Sequence, residues 1–282
     1  MSEWRHYHDL HPQNTVCGTV KVYPQLYSPQ LDNRRDILVY LPPSYSTDVQ
    51  RRYPVVYMHD GQNLFDRYTS YVGEWQVDET MEQLAREGLE AIIVGIPHMG
   101  DDRVHELSPF TDELSQGRGA DYLSFIVQTV KPLVDSHFRT APQREKTGIA
   151  GSSMGGLISL WGLFAHSDIF GFAGIVSPAF WFGERAIYSY IENAPYHKAR
   201  IWMDVGTRET EVWSKEEAAI RANSEIYVQD VRRMRDVLRN KGYDKTLLAY
   251  LEDEGAIHNE GAWAKRFPDM MRFLLGGIDG HC

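Results

Sequence analysis

Apolar and polar positions alternate near the start of the chain and stop alternating further on. Thr19-Val20-Lys21-Val22-Tyr23 and Asp36-Ile37-Leu38-Val39-Tyr40-Leu41 read as alternating runs. They predict strands with one solvated face, as at the antiparallel edge of a mixed sheet. Pro42-Pro43 stops the second run, since proline cannot donate to a ladder. Val55-Val56-Tyr57-Met58-His59 after Pro54, then Ala91-Ile92-Ile93-Val94-Gly95-Ile96, Phe172-Ala173-Gly174-Ile175-Val176 and Ile201-Trp202-Met203-Asp204-Val205, are mostly apolar without alternation. Such runs suit strands covered on both faces. Thr246-Leu247-Leu248-Ala249-Tyr250-Leu251 reads as a last strand.

Between these runs the apolar period lengthens to three or four. It predicts helices over 74–86, with Gly88 as a stop, over 120–137, over 224–241, where Tyr227, Val231, Met234 and Leu238 fall on one face before Gly242, and over 262–275. Pro132 is expected to kink or break the second of these. Residues 97–119 have many loop formers and no period, and a loop of that length inside a compact domain points to function. Strand and helix alternate from the middle onward, so the reading is an α/β fold with a mostly parallel central sheet, antiparallel N-terminal edge strands and helices on both faces. No repeat, low-complexity tract or linker interrupts it, and residues 1–282 read as one domain.

One stretch organises the rest. Thr147-Gly148-Ile149-Ala150-Gly151-Ser152-Ser153-Met154-Gly155-Gly156-Leu157 runs from an apolar strand through a glycine-rich turn into an apolar helix. Gly151, Ser153 and Gly155 form G-x-S-x-G, the pattern of a nucleophile elbow when strand and helix flank it. The amide of Met154 would then open the helix and point at a developing oxyanion. A second donor is expected from the loop after an earlier strand, which points to Gly61, Gln62 and Asn63 after His59.

A serine hydroxyl needs a base. In α/β-hydrolases the chain order is Ser, then Asp or Glu, then His. Downstream of Ser153 lie His166, His197, His258 and His281. His258 follows the last predicted strand in Glu254-Gly255-Ala256-Ile257-His258-Asn259-Glu260, at the strand end where open α/β sheets gather catalytic groups. The acid belongs in the loop after Val205. Glu209 is favoured, Glu211 stands second, and Asp204 as a strand residue points elsewhere. Phe180 and Trp181, after Ser177-Pro178, could wall an acyl or aryl pocket.

Composition trims the alternatives. The formal net charge of −10 argues against nucleic acid or an anionic membrane as partner. Two cysteines, Cys17 and Cys282, make no disulfide framework. The opening MSEWRHYHDLH has no apolar h-region and no run is long enough to span a bilayer, so the expectation is a cytoplasmic protein. His6, His8 and His11, and likewise His98, Asp101, Asp102 and His105, lack the spacing of a zinc or calcium site, so neither a metal nor another cofactor is expected.

MHDGQNLFD (58–66), AGSSMGGLISL (150–160), VSPAFWF (176–182), DVGTRE (204–209) and GAIHNEGAWAKRFPDMMRFL (255–274), with YLPPSY (40–45), together resemble the enterochelin esterase-like branch of the putative esterase family. That family also includes feruloyl esterases, S-formylglutathione hydrolases and mycolyltransferases. The resemblance runs from about residue 30 onward. It implies an α/β-hydrolase fold without cofactor, Ser153 as nucleophile, His258 as base, Glu209 as acid, and oxyanion donors on the DGQN loop and Met154. The expectation is a carboxylic-ester hydrolase acting on a small molecule, an acylated sugar or a siderophore-like lactone. An acyltransferase of the same fold and a non-catalytic binding module are the rivals. Oligomeric state is not legible.

Overall fold

The computed structural model describes residues 3–276, so Cys282 and His281 lie outside the described residues. Among the described residues nine strands form one sheet: β1 (Arg5–His6), β2 (Thr19–Ser28), β3 (Asn33–Leu41), β4 (Val55–His59), β5 (Ile92–Ile96), β6 (Thr147–Ser152), β7 (Phe172–Val176), β8 (Arg200–Gly206) and β9 (Leu248–Asp253). Their order is β1-β2-β3-β5-β4-β6-β7-β8-β9. Pairing is antiparallel from β1 through the β3–β5 contact and parallel from there on. The alternating runs therefore make the edge and the unbroken apolar runs make the centre. β2 continues past its expected end because a bulge between Tyr23 and Leu26, with Gln25 at φ 53°, absorbs Pro24.

Residue parity along β4 separates two apolar layers. Val55 and Tyr57 face α4 (Gly119–Phe125) and α6 (Met154–Ala165), whereas Val56 and Met58 face α2 (Val77–Ala85) and α9 (Glu260–Leu275). Remaining helices are the short α1 (Tyr7–Leu10) and α3 (Arg103–Glu106), α5 (Lys131–His137), α7 (Ala186–Asn193) and α8 (Glu217–Lys241). Pro132 acts as expected: a π-helical segment, Ile126–Val130, joins α4 to α5, because the missing proline N–H cannot close an α-turn. The long loop is partly ordered by α3, whose first residue, Arg103, reaches back to Asp60.

The strand order reverses at β4. The chain leaves β4 toward β5 and later returns to the other side of β4 to form β6. Loops after β4 and β6 therefore diverge and open a crevice between them at the carboxyl end of the sheet, where α/β proteins place ligands. Those two loops are the Asp60–Asn63 turn and the Ser153 turn.

Candidate active site

Ser153 sits between the end of β6 and the start of α6 at φ 58° and ψ −120°. A side chain rarely occupies this region, and holding one there costs about 1–3 kcal/mol. The surroundings over-determine it. The Ser153 N–H donates to the carbonyls of Val176 (3.0 Å) and Ser177 (3.2 Å), and its carbonyl accepts from Leu157 (3.1 Å) and Ala179 (3.0 Å). Gly151 is required by close approach, since a Cβ there would lie 2.8 Å from the His59 ring and 3.1 Å from Gly155.

Beneath the elbow, His59 is fully buried, with Nδ1 2.8 Å from the Tyr122 hydroxyl and Nε2 3.1 Å from Ser159 Oγ. Ser159 gives its only proton to the Gly155 carbonyl at 2.6 Å. His59 must then donate from Nε2, and because burial keeps the imidazole neutral, its Nδ1 accepts from the Tyr122 hydroxyl. Burial holds its pKa down to about 4. An unfolded histidine takes up a proton near pH 6.5, so between pH 6.5 and about 4 the unfolded chain binds the extra proton. The contribution of His59 is complete above pH 6.5 and is lost as pH falls through that window. Its size is about 3 kcal/mol. Urea unfolding at pH 7 and pH 4.5 should show this loss in the wild type and a shallower dependence in His59→Gln; equal slopes would contradict it.

His258 lies in the loop between β9 and α9, where Asn259 caps α9 by accepting from the Ala262 N–H at 2.9 Å. The His258 ring is packed by Trp213 (4.9 Å), Trp263 (5.0 Å) and Tyr227 (5.7 Å). Its Nδ1 is 2.5 Å from Glu209 Oε2, with side-chain exposures of 7% and 0%. Glu209 Oε1 accepts from Ser177 Oγ (2.5 Å) and from the Gly206 N–H (2.6 Å). Glu209 is thus an acceptor on both oxygens, so Nδ1 carries the proton and Nε2 is left to accept.

Ser177, itself at φ 40°, is saturated. Its Oγ accepts from Trp263 Nε1 (3.2 Å) and Arg266 Nη2 (2.8 Å), which commits its proton to Glu209. Arg266 also pairs with Asp204 (3.1 Å) and Asp253 (3.4 Å). Asp204 is fully buried and accepts from Trp202 Nε1 at 2.6 Å. Burial raises its pKa to about 6 against the pull of Arg266. Asp204 therefore belongs to the arginine, and Glu211 belongs to Arg208 on the surface (2.5 Å). Of the three acids considered, only Glu209 meets His258.

Ser153 and His258 line the same cleft of about 690 Å³, together with Asp60, Arg103, Trp213 and Glu260. Arg103 grips Asp60 with two hydrogen bonds, 2.7 and 2.8 Å. Burial would raise Asp60, yet the guanidinium outweighs it and holds the carboxyl below its ordinary range. Gly61–Asn63 form a single 3₁₀ turn after Asp60, which has φ 55°. The turn closes with the Asn63 N–H on the Asp60 carbonyl at 2.9 Å. That corrects the expectation for Asn63, whose backbone amide is already bonded within the turn. Gly61 could not carry a side chain, because a Cβ would fall 2.6 Å from the backbone of Gly95 and Ile96.

A second hollow of about 320 Å³ shares Trp213 with the cleft and is lined also by Trp181, Ile226 and Tyr227. Trp181 is 42% exposed there. Phe180 corrects the other half of that expectation. It is 0% exposed and packs on Tyr188 in the core, because the sharp turn after Ser177 sends adjacent side chains to opposite sides. Tyr227, which the apolar period places on the packed face of a helix, also reaches the site: its hydroxyl donates to the Ser177 carbonyl at 2.7 Å and lies beside the Ser153 hydroxyl. Among the described residues neither histidine-rich set brings three possible ligand atoms together; His8 meets Asn14, and His98 Nδ1 accepts from the Gly100 N–H.

The sheet order and the strained serine between strand and helix define a protein of the α/β-hydrolase class. Within that class the chain belongs to the putative esterase family, whose profile matches residues 28–274, and it is a carboxylic-ester hydrolase. It is 27% identical over 251 residues to the uncharacterized protein YbbA of Bacillus subtilis (strain 168), covering 86% of this chain and 93% of that one. Among solved structures it is similar to the BES protein from Bacillus cereus, with TM-score 0.71, 20% identity and coverage of 93% and 97%. It is likewise similar to the siderophore hydrolase EstB from Aspergillus nidulans, with TM-score 0.71, 18% identity and coverage of 92% and 96%. At these identities the structural likeness speaks for the fold. No helix among the described residues is long and apolar enough to cross a membrane.

Proposed function

We propose that the chain hydrolyses esters through an acyl-enzyme on Ser153, with His258 as base and Glu209 as its orienting acid. The observation that carries this reading is the fixed chain Glu209–His258 opening on the cleft that holds the strained Ser153. The Ser153 hydroxyl attacks the ester carbonyl and His258 Nε2 takes its proton. Glu209 keeps the Nδ1 proton in place and stabilises the imidazolium. The Met154 amide, at the positive end of α6, and the Gly61 and Gln62 amides receive the negative oxygen of the tetrahedral intermediate; one such donor is worth about 10²–10³ in rate. His258 then protonates the departing alkoxide and activates the water that frees the acid. No step needs a metal or cofactor.

The shape of the site supports a small ester with a flat or apolar acyl group. The hollow of Trp181, Trp213 and Ile226 is apolar and adjoins the catalytic histidine, while the Asp60–Arg103 side of the cleft offers polar partners to the alcohol. Hydrolysis of p-nitrophenyl acetate, butyrate and octanoate beside an aryl ester such as methyl cinnamate tests this. The aryl ester and the shorter chains should turn over, and Trp213→Ala should raise KM for the aryl ester about tenfold with little change for acetate. A protein labelled at Ser153 by a fluorophosphonate but inactive on every ester would overturn hydrolysis and favour acyl transfer.

A further inference from the structure

Away from the catalytic cleft, Glu74, Asp78 and Glu79 bring one carboxylate oxygen each to within 4.8 Å of one another. Proximity of acids at a helix start is ordinary. What is not ordinary is their lack of compensation. Buried carboxylates elsewhere face a cation or are held by hydrogen-bond donors: Glu106 has Arg35, Glu90 has Arg51, Asp60 has Arg103 and Asp204 has Arg266, while Asp66 accepts from Tyr7 and Thr15. Among the described residues no such ion pair reaches the trio. Asp78 is 0% exposed, and neither its buried Oδ1 nor the buried Glu79 Oε2 receives a hydrogen bond from a donor group, although the two carboxyls lie within hydrogen-bonding reach of each other. Leaving charged oxygens desolvated and unpaired is costly, so such groups ordinarily pair or coordinate a metal.

We propose that Glu74, Asp78 and Glu79 hold a divalent cation of the calcium class, which fastens the N-terminal segment to the sheet. Three oxygens within 4.8 Å of one another share a centre no more than about 2.8 Å from each, close to the range of calcium–oxygen bonds. All the donors are hard oxygens, which disfavours zinc and copper. Two of these carboxylates also bind the strap formed by residues 15–17. The Cys17 N–H donates to Asp78 Oδ2 at 2.6 Å and the Thr15 hydroxyl to Glu74 Oε1 at 3.3 Å. Thr15 also holds Asp66, through its N–H and its hydroxyl, both at 3.2 Å. One ion would thus tie the strap, α2 and the segment leading from Asp66 into a single unit. That unit abuts the cleft: Trp75 packs on Trp263 at 5.6 Å, and Trp263 packs edge-on against His258. The role is structural and independent of the ester chemistry.

Full-length protein stripped with EDTA and dialysed is titrated with CaCl2 and, separately, MgCl2, following thermal unfolding and heat of binding. Calcium at about 1 mM should raise Tm by about 5 °C, with a single binding event in calorimetry. Magnesium should act more weakly, because it parts reluctantly with its waters; a stronger magnesium effect would keep the site and reassign its occupant. The Tm shift should vanish in Asp78→Asn. Should that variant not fold, Glu74→Gln, at the more exposed position, must reduce calcium affinity at least tenfold. Absence of binding and of any Tm change with either ion would overturn the proposal and leave a proton shared by Asp78 and Glu79 as what neutralises the cluster.

Discussion

Ser153→Ala should lower kcat/KM for p-nitrophenyl acetate by about 10⁴-fold or more, equivalent to about 5 kcal/mol of transition-state stabilisation. The residual rate would be that of a site that still binds the ester and still offers oxyanion donors. Stability should hardly move, because alanine keeps the Cβ and all four backbone hydrogen bonds that residue 153 makes to Val176, Ser177, Leu157 and Ala179. Ser153→Gly separates the two properties further. It abolishes activity equally but relieves the φ of 58°, and should raise Tm. Fluorophosphonate labelling should be lost in both variants. An alanine variant within tenfold of the wild type would remove Ser153 from the nucleophile's place.

Much of this was legible in the sequence because a few physical rules act locally there. A serine between an apolar strand and an apolar helix, with glycines where Cβ atoms would collide, has few structural explanations. The acid was legible only by place. Glu209 and Glu211 lie two residues apart in the same loop, and a turn of 3₁₀ helix sends one inward to His258 and the other outward to Arg208. No local pattern decides between them; the deciding donors, Ser177 and Gly206, arrive from β7 and β8. Ser177 itself was hidden beside a proline in a motif read for its aromatics. Arg103 was hidden inside a loop recognised only for its length. α7 was missed because it is eight residues long and buries only Ile187, Tyr188 and Ile191. The first turns of α8 were missed because Ile220 is their only buried apolar residue. The strap of residues 15–17 that bonds Glu74 and Asp78 is distant in the chain, so no local pattern announces their setting.

Glu209→Gln tests the part that sequence left open. The two donors on Oε1, Ser177 Oγ–H and Gly206 N–H, should retain the amide oxygen in that position. The NH2 group then faces His258 Nδ1 across the 2.5 Å contact. An amide N–H can only donate, so Nδ1 must accept and the ring proton moves to Nε2, the atom needed to receive the serine proton. The wrong tautomer should cost about 10³–10⁴ in kcat with little change in KM. Burial and shape are preserved, so Tm should remain close to that of the wild type. Glu211→Gln loses only a partly exposed pair with Arg208, and such pairs contribute little, so its kcat should stay within about twofold of the wild type. A reversal of the two effects would transfer the acid to Glu211, and full activity in both variants would reduce the machinery to Ser153 and His258 alone.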